Sequence, residues 1–386
     1  MRGLILATAA LAFATPATAA ANDRFAENVK VLREFHGEPN GYFGWAVADL
    51  EDIDRDGVTD WITSEPYAAN GGATWVFSGK TGRPLHHFPG QAGDTHGYAI
   101  ADAGDTDRDG VHDVVSGALG RAYLYSGRTG RLLHTWPNPA AMNLFGAAVS
   151  SAGDLNLDGH DDVAIGAPRA GAGSVYIYSG RTYKLLRTLD GRNPGDRFGA
   201  GLDTSPGILT PELIVGAQGR YASVFAPFAS FQRLRLNPVQ TPVGSTFGQF
   251  FVAGVGRVDR DLFPDFYVGD YGASWAGVYS GRDGSLIHAW PGAPGEGRGP
   301  GREAGDVDRD GRVDLTVGDY LAGPTAAGRV TIFSGASGTP VRTYTSTTAG
   351  ENLGFDTVGI GDTNRDGRTD ILLSAAEGDT VYLVGS

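Results

Sequence analysis

Asp52-Ile53-Asp54-Arg55-Asp56-Gly57-Val58-Thr59-Asp60 puts carboxylates at positions 1, 3, 5 and 9 of a nine-residue stretch, with glycine at position 6. The pattern returns at Asp105–Asp113, Asp154–Asp162, Asp306–Asp314 and Asp362–Asp370, so the chain carries five copies at a period near fifty residues. Oxygen donors at this spacing suit a hard divalent cation: calcium takes about six to eight oxygens, nearly supplied by four side chains, the position-7 carbonyl and water. Glycine at position 6 permits the sharp turn that folds the donors inward. An EF-hand would add a glutamate at position 12 between two helices, but that position holds Thr63, Ser116, Ile165, Val317 or Leu373. Short β-branched runs such as Val163–Ile165 flank the loops, so each loop joins two strands. A single Asp/Gly cluster reads equally well as a solvated turn; five copies in register favour metal.

The expected ligands are Asp52, Asp54, Asp56 and Asp60 with the Val58 carbonyl, and Asp105, Asp107, Asp109 and Asp113 with that of Val111. The third loop offers Asp154, Asn156, Asp158 and Asp162 with His160, and the fourth Asp306, Asp308, Asp310 and Asp314 with Arg312. The last offers Asp362, Asn364, Asp366 and Asp370 with Arg368, so the reading predicts five calcium ions per chain.

A wider repeat surrounds each loop. An aromatic-Gly pair (Phe43-Gly44, Phe145-Gly146) opens the unit and a small-residue strand leads into the loop. A second strand leaves the loop, a third ends in Ser-Gly (Ser78-Gly79, Ser126-Gly127, Ser179-Gly180, Ser280-Gly281, Ser334-Gly335), and a turn feeds a fourth such as Leu132–Trp136. Four strands per unit describe a propeller blade. Two units are degenerate: the fourth, opened by Phe198-Gly199, has Thr204–Gly207 in place of the loop and is expected to lack metal. The fifth, opened by Phe247-Gly248, has Arg257 at position 1 and Leu262 where glycine belongs, and keeps only Asp259, Asp261 and Asp265, which argues against calcium. The sixth replaces its opening pair with the stretch Gly295–Gly301, and the seventh opens with Leu353-Gly354. The seventh stops after a third strand, Val381–Val384, while Val29–Phe35 reads as a spare fourth strand. The fold class is therefore all-β, a seven-bladed propeller of four-stranded antiparallel blades closed by the N-terminal strand, which removes an exposed sheet edge. An open array of sheets is the alternative.

These units resemble the FG-GAP repeat, the unit of the N-terminal propeller of integrin α subunits and of many secreted bacterial proteins. The likeness covers nearly the whole chain after residue 20, although at the end of a second strand the name-giving tripeptide survives only as Gly166-Ala167-Pro168. It implies calcium in hairpin loops on one face and ligand binding on the other.

Met1–Ala20 reads as a secretory signal peptide, with Arg2, an apolar Leu4–Phe13 and the small-residue cleavage motif Ala17–Ala19, leaving residues 21–386 as the propeller. The chain is expected to be secreted or periplasmic. It has no cysteine, hence no disulfide framework, and no other run apolar enough to span a bilayer. The formal net charge is −13; losing Arg2 makes it −14, and five calcium ions would bring it to −4. No basic stripe offsets that field, so nucleic acid is not an expected partner. Arg33, His86, His134, Arg187, His288 and Arg342 share one fourth-strand position, which reads as an outer polar face. No single-copy catalytic constellation stands out, and His112 and His160 read as variable positions inside metal loops.

The expected function is a calcium-binding adhesion module for a glycan or protein ligand, acting as a monomer. Tyr67, Tyr221, Tyr271, Trp275 and Tyr320 fall on loops of the face opposite the metal hairpins and are the candidate contacts, with packing between blades as the competing reading. A calcium-dependent polysaccharide lyase or hydrolase and a structural matrix component are the alternatives.

Overall fold

The computed structural model describes residues 15–16, 23–139, 143–205, 207, 211–226, 232–239 and 242–386. Seven antiparallel sheets form the blades. Blade one comprises Val47–Leu50, Asp60–Glu65, Ala73–Phe77 and Pro84–Pro89, and blades two to six repeat this order. Blade seven is built from Thr357–Gly359, Asp370–Ala375, Thr380–Gly385 and, as its outer strand, Val31–His36, which pairs antiparallel with Thr380–Val384. The expected closure is therefore present. Of the predicted leader, only Thr15 and Pro16 are described, as a two-residue strand beside Glu34 and Arg33; the rest lies outside the described residues, as does part of the Thr204–Gly207 segment. Among the described residues no helix is long and apolar enough to cross a membrane.

Burial follows the position of each strand in its blade. Second strands are apolar without alternation (Asp162-Val-Ala-Ile-Gly-Ala167) and buried along their length, because neighbouring blades cover both sheet faces. Fourth strands at the rim bury one large side chain each, Phe35, Phe88, Trp136, Leu189, Leu236, Trp290 or Tyr344, which seats in the cluster shared with the next blade. Each fourth strand also slips register against the third by a bulge, as at Val76/Phe77 and Ile332/Phe333, which steepens the twist.

The fourth-strand arginines and histidines are more than a polar rim. Arg33 donates to the Gly79 carbonyl at 3.0 Å, and His86 and His288 face the carbonyls of Gly127 and Gly335 at 2.6 and 2.8 Å. Each clasp ties one blade to the Ser-Gly corner of the next. His134 instead stacks on Tyr183, ring centroids 4.4 Å apart.

Candidate functional site

The five intact loops share one backbone. Position 4 is left-handed at φ 58–64° (Arg55, Arg108, Leu157, Arg309, Arg365) and so is the position-6 glycine at φ 80–87°. The position-1 carboxylate accepts the amides of positions 5 and 6, for Asp52 at 2.9 and 2.7 Å, and Asp105, Asp154, Asp306 and Asp362 repeat the pair. One carboxylate oxygen from each of positions 1, 3 and 9 converges within 4.8 Å at Asp52/Asp54/Asp60, Asp105/Asp107/Asp113 and Asp306/Asp308/Asp314. In the third loop Asn156 Oδ1 accepts the Asp158 amide as Asp54 Oδ1 accepts that of Asp56. In the last, Asn364 donates to both oxygens of Asp370 at 3.0 and 3.2 Å. The three converging carboxylate sets, all oxygen, have the chemistry of a hard-cation site.

The position-9 aspartate explains the Ser-Gly signature. Asp60, fully buried, accepts the Ile53 amide with one oxygen and the Gly79 amide with the other, at 2.9 and 3.0 Å. Gly127, Gly180, Gly281 and Gly335 donate in the same way to Asp113, Asp162, Asp265 and Asp314. A Cβ on Gly79 would sit 1.9 Å from the Thr59 carbonyl, and the other four glycines meet the loop within 1.7–2.0 Å, so only glycine fits.

Blade five departs from this geometry. Asp259, Asp261 and Asp265 gather their oxygens within 4.8 Å, but from positions 3, 5 and 9, while Arg257 is exposed. Neither Arg260 nor Leu262 takes the left-handed conformation found in the five intact loops. Blade four has a fixed positive charge instead: Arg233 donates to Glu212, which begins the second strand, at 2.5 Å.

Position-4 side chains link successive loops. Arg55 reaches the Gly110 carbonyl at 3.5 Å, Arg309 that of Gly367 at 2.7 Å, and Arg365 that of Asp56 at 3.5 Å.

On the opposite face, aromatic side chains close into a ring around the propeller axis. Successive centroids lie 5.5 Å apart from Trp45 to Tyr98, 5.9 to Phe250, 6.3 to Phe251, 6.0 to Tyr271, 6.4 to Tyr320, 5.5 to Phe355 and 5.0 back to Trp45. All seven are half-buried, and they rim a hollow of about 250 Å³. Arg302 lies at its floor, beside Asp356 at 3.5 Å, with Asp203 also lining it. Arg302 is walled in by the blades, yet a quarter of its side chain meets solvent in the axial channel. Desolvation by the surrounding blades pushes Asp203 up to about 6 and Glu303, whose side chain is exposed to the channel further down, up to about 7.

Of the predicted contacts, Tyr271 and Tyr320 belong to this ring. Tyr67 is 47% exposed and packs on Trp45 just outside it. Tyr221 is buried under Arg235 with its hydroxyl on Asp196 at 2.9 Å, and Trp275 packs on Phe247 and Tyr279. Of the other five ring members, Trp45, Tyr98 and Phe355 each follow the glycine that opens a unit, and Arg302 holds that place after Gly301, whereas Phe250 and Phe251 do not follow the pattern.

His112 also has partners that its place in a loop did not announce. It bonds Asp102 at 2.7 Å and lies 3.3 Å from Glu51 of blade one. The Asp102 hydrogen bond raises its pKa to about 9 against the cost of burial, so it stays protonated and is no general base at neutral pH.

Comparison with known proteins agrees with this architecture. The FG-GAP repeat family model matches residues 145–178, the heart of blade three. Integrin alpha-PS5 of Drosophila melanogaster is 31% identical over 43% of this chain and 18% of its own length. Integrin alpha-5 of Xenopus laevis is 28% identical over 65% of this chain and 22% of its own. The chain thus spans about a fifth of each of these relatives. Among solved structures, Chaetomium thermophilum Raptor superposes with a TM-score of 0.62 at 10% identity, covering 94% of this chain and 29% of that one. BBS1N, solved in complex with ARL6DN, gives 0.60 at 11% identity, covering 89% and 92%. At such identities these two share the fold alone.

Proposed function

Starting from an integrin-α-like propeller of FG-GAP repeats, we propose that this chain is an exported binding module in which calcium stiffens one face and the aromatic ring of the other grips a protein ligand. The single observation that carries the reading is the closed ring of seven half-buried aromatics around a hollow. A contiguous apolar patch on a soluble surface marks an interaction site, and rigid aromatic side chains supply contact area at low entropic cost. Arg302 at the floor is flanked by Asp203 and Asp356, so an anionic group gains little there; an uncharged or cationic side chain is the fitting occupant. Export rests on the Leu4–Phe13 run and the Ala17–Ala19 cleavage motif.

Panning a displayed peptide library on the immobilised protein tests the ring. Enriched peptides are expected to lose at least tenfold in affinity to a Tyr271→Ala/Phe355→Ala variant that melts as the parent does. Equal affinity for both proteins would move the ligand site elsewhere.

Calcium is assigned to the five intact loops, because they share the turn that aims oxygen donors inward. The ion supplies a positive centre that keeps the clustered carboxylates ionised. Asp306→Ala removes a position-1 donor and is expected to lower the calorimetric calcium count by one. Asp259→Ala in blade five is expected to leave it unchanged. The reverse outcome would reassign the two loops.

A further inference from the structure

The ligand face carries a second feature, on blade four. Arg197, Arg220 and Arg235 line a polar cleft of about 650 Å³, between the loop entering blade four, the turn after its second strand and the loop entering blade five. All three are exposed, in a chain whose formal net charge is −13.

Some arginines of this face are neutralised. Arg121 of blade two faces Asp94 at 3.5 Å, and Arg298 and Arg329 of blade six share Asp319 at 2.5 and 2.8 Å. Blade four has the counterpart of Asp94 in Asp196, but that carboxylate is buried and bound to the Tyr221 hydroxyl and the Asn193 amide, at 2.9 and 3.0 Å. None of the three arginines has an ion-pair partner among the described residues.

Two of the three, Arg197 and Arg235, are nevertheless held in place. Arg197 has a left-handed backbone at φ 52° and donates to Gln218 at 2.7 Å; Arg235 lies 4.0 Å above the Tyr221 ring. Fixed, unpaired guanidinium groups offer parallel N–H pairs to carboxylate or sulfate oxygens with little ordering cost.

We propose that this cleft is a subsite for an acidic polysaccharide, whose carboxylate or sulfate groups pair with Arg197, Arg220 and Arg235. Polysaccharide is favoured over acidic peptide by the polar rim: Asn193 and Gln218 suit hydroxyl-bearing rings, and the apolar anchors a peptide would use lie in the axial ring instead. The site is separate from the aromatic ring and does not depend on it.

Titration of the calcium-loaded protein with polygalacturonate, heparin, dextran and poly-glutamate, by affinity electrophoresis and calorimetry, tests this. Polygalacturonate or heparin is expected to bind, and the stronger of the two identifies carboxylate or sulfate as the recognised group. Dextran is expected not to bind. Arg197→Gln/Arg220→Gln is expected to weaken binding at least tenfold with an unchanged melt, while Arg83→Gln/Arg131→Gln on the loop face and Tyr271→Ala in the ring leave it intact. Binding of poly-glutamate as tight as that of the polysaccharide, equal losses in the Arg83/Arg131 control, or no binding of either acidic polysaccharide would each overturn the proposal.

Discussion

Chelation is expected to lower the melting temperature strongly and reversibly, and the loss should deepen as pH rises from 4 to 7. With no cation in the loop, burial pushes the position-9 carboxyls of Asp60, Asp113 and Asp162 up to about 7, although amide hydrogen bonds pull them down. A carboxyl whose folded pKa exceeds its unfolded value near 4 takes up a proton on folding. Its stabilising contribution is complete below the unfolded pKa and is lost as pH climbs through the folded one. The metal-free protein is thus expected to be least stable at neutral pH.

Calcium is expected to reverse the trend. The ion competes with the proton for the same carboxylates, so its affinity rises with pH across that window. At a hundredfold excess of ion over Kd each occupied loop contributes about 2.7 kcal/mol, so several loops together outweigh any single contact in the fold. Calorimetric melts at pH 5 and 7.5, with chelator and with calcium, check this. A chelated protein that melts higher at pH 7.5 than at pH 5 would show that the position-9 carboxyls are ionised by hydrogen bonds alone.

What was legible in the sequence is what repeats. The Asp/Gly loops, the Ser-Gly corners and the truncated last unit specified seven blades and their closure, since a repeated pattern exposes its own register. The reasons behind some signals needed three dimensions. Ser-Gly reads as a turn, yet Gly79 is fixed by a carbonyl twenty residues earlier in the chain and by the buried Asp60. Position 4 of the loops, arginine in four copies and Leu157 in the other, reads as an exposed polar residue, but its left-handed backbone is as constant as that of the glycine two residues on. The axial ring stayed hidden for a different reason: it takes Trp45, Tyr98 and Phe355 from one repeat position and Tyr271 and Tyr320 from another, skipping blades three and four. No periodicity marks a site assembled across blades from unlike positions. The unpaired arginines of blade four were equally silent, because a missing partner is a fact about space.

Phe35→Ala is expected to destabilise the protein by about 3–5 kcal/mol, as for a fully buried phenylalanine in a close-packed core. The side chain is 1% exposed and wedged between blades, its ring 4.7 Å from Trp61 and 5.2 Å from Phe77 of blade one. Its strand is also the one that closes the circle, pairing Phe35 with Val381. Two further links cross or brace this seam: Lys30 bridges to Asp366 in the blade-seven loop at 2.8 Å, and Arg365 reaches the Asp56 carbonyl of the blade-one loop at 3.5 Å. The seam therefore joins strand, core and acidic loops in one unit, and changes there should not add. Combining Phe35→Ala with Asp362→Ala, a position-1 donor of the blade-seven loop, is expected to cost less in urea titrations than the two single losses summed, since opening the junction by either route forfeits the contacts of the other. Phe35→Ala with Asp105→Ala, in the loop of blade two, is expected to be additive. Additivity in both pairs would mean that the strand and the metal loops hold the ring shut independently.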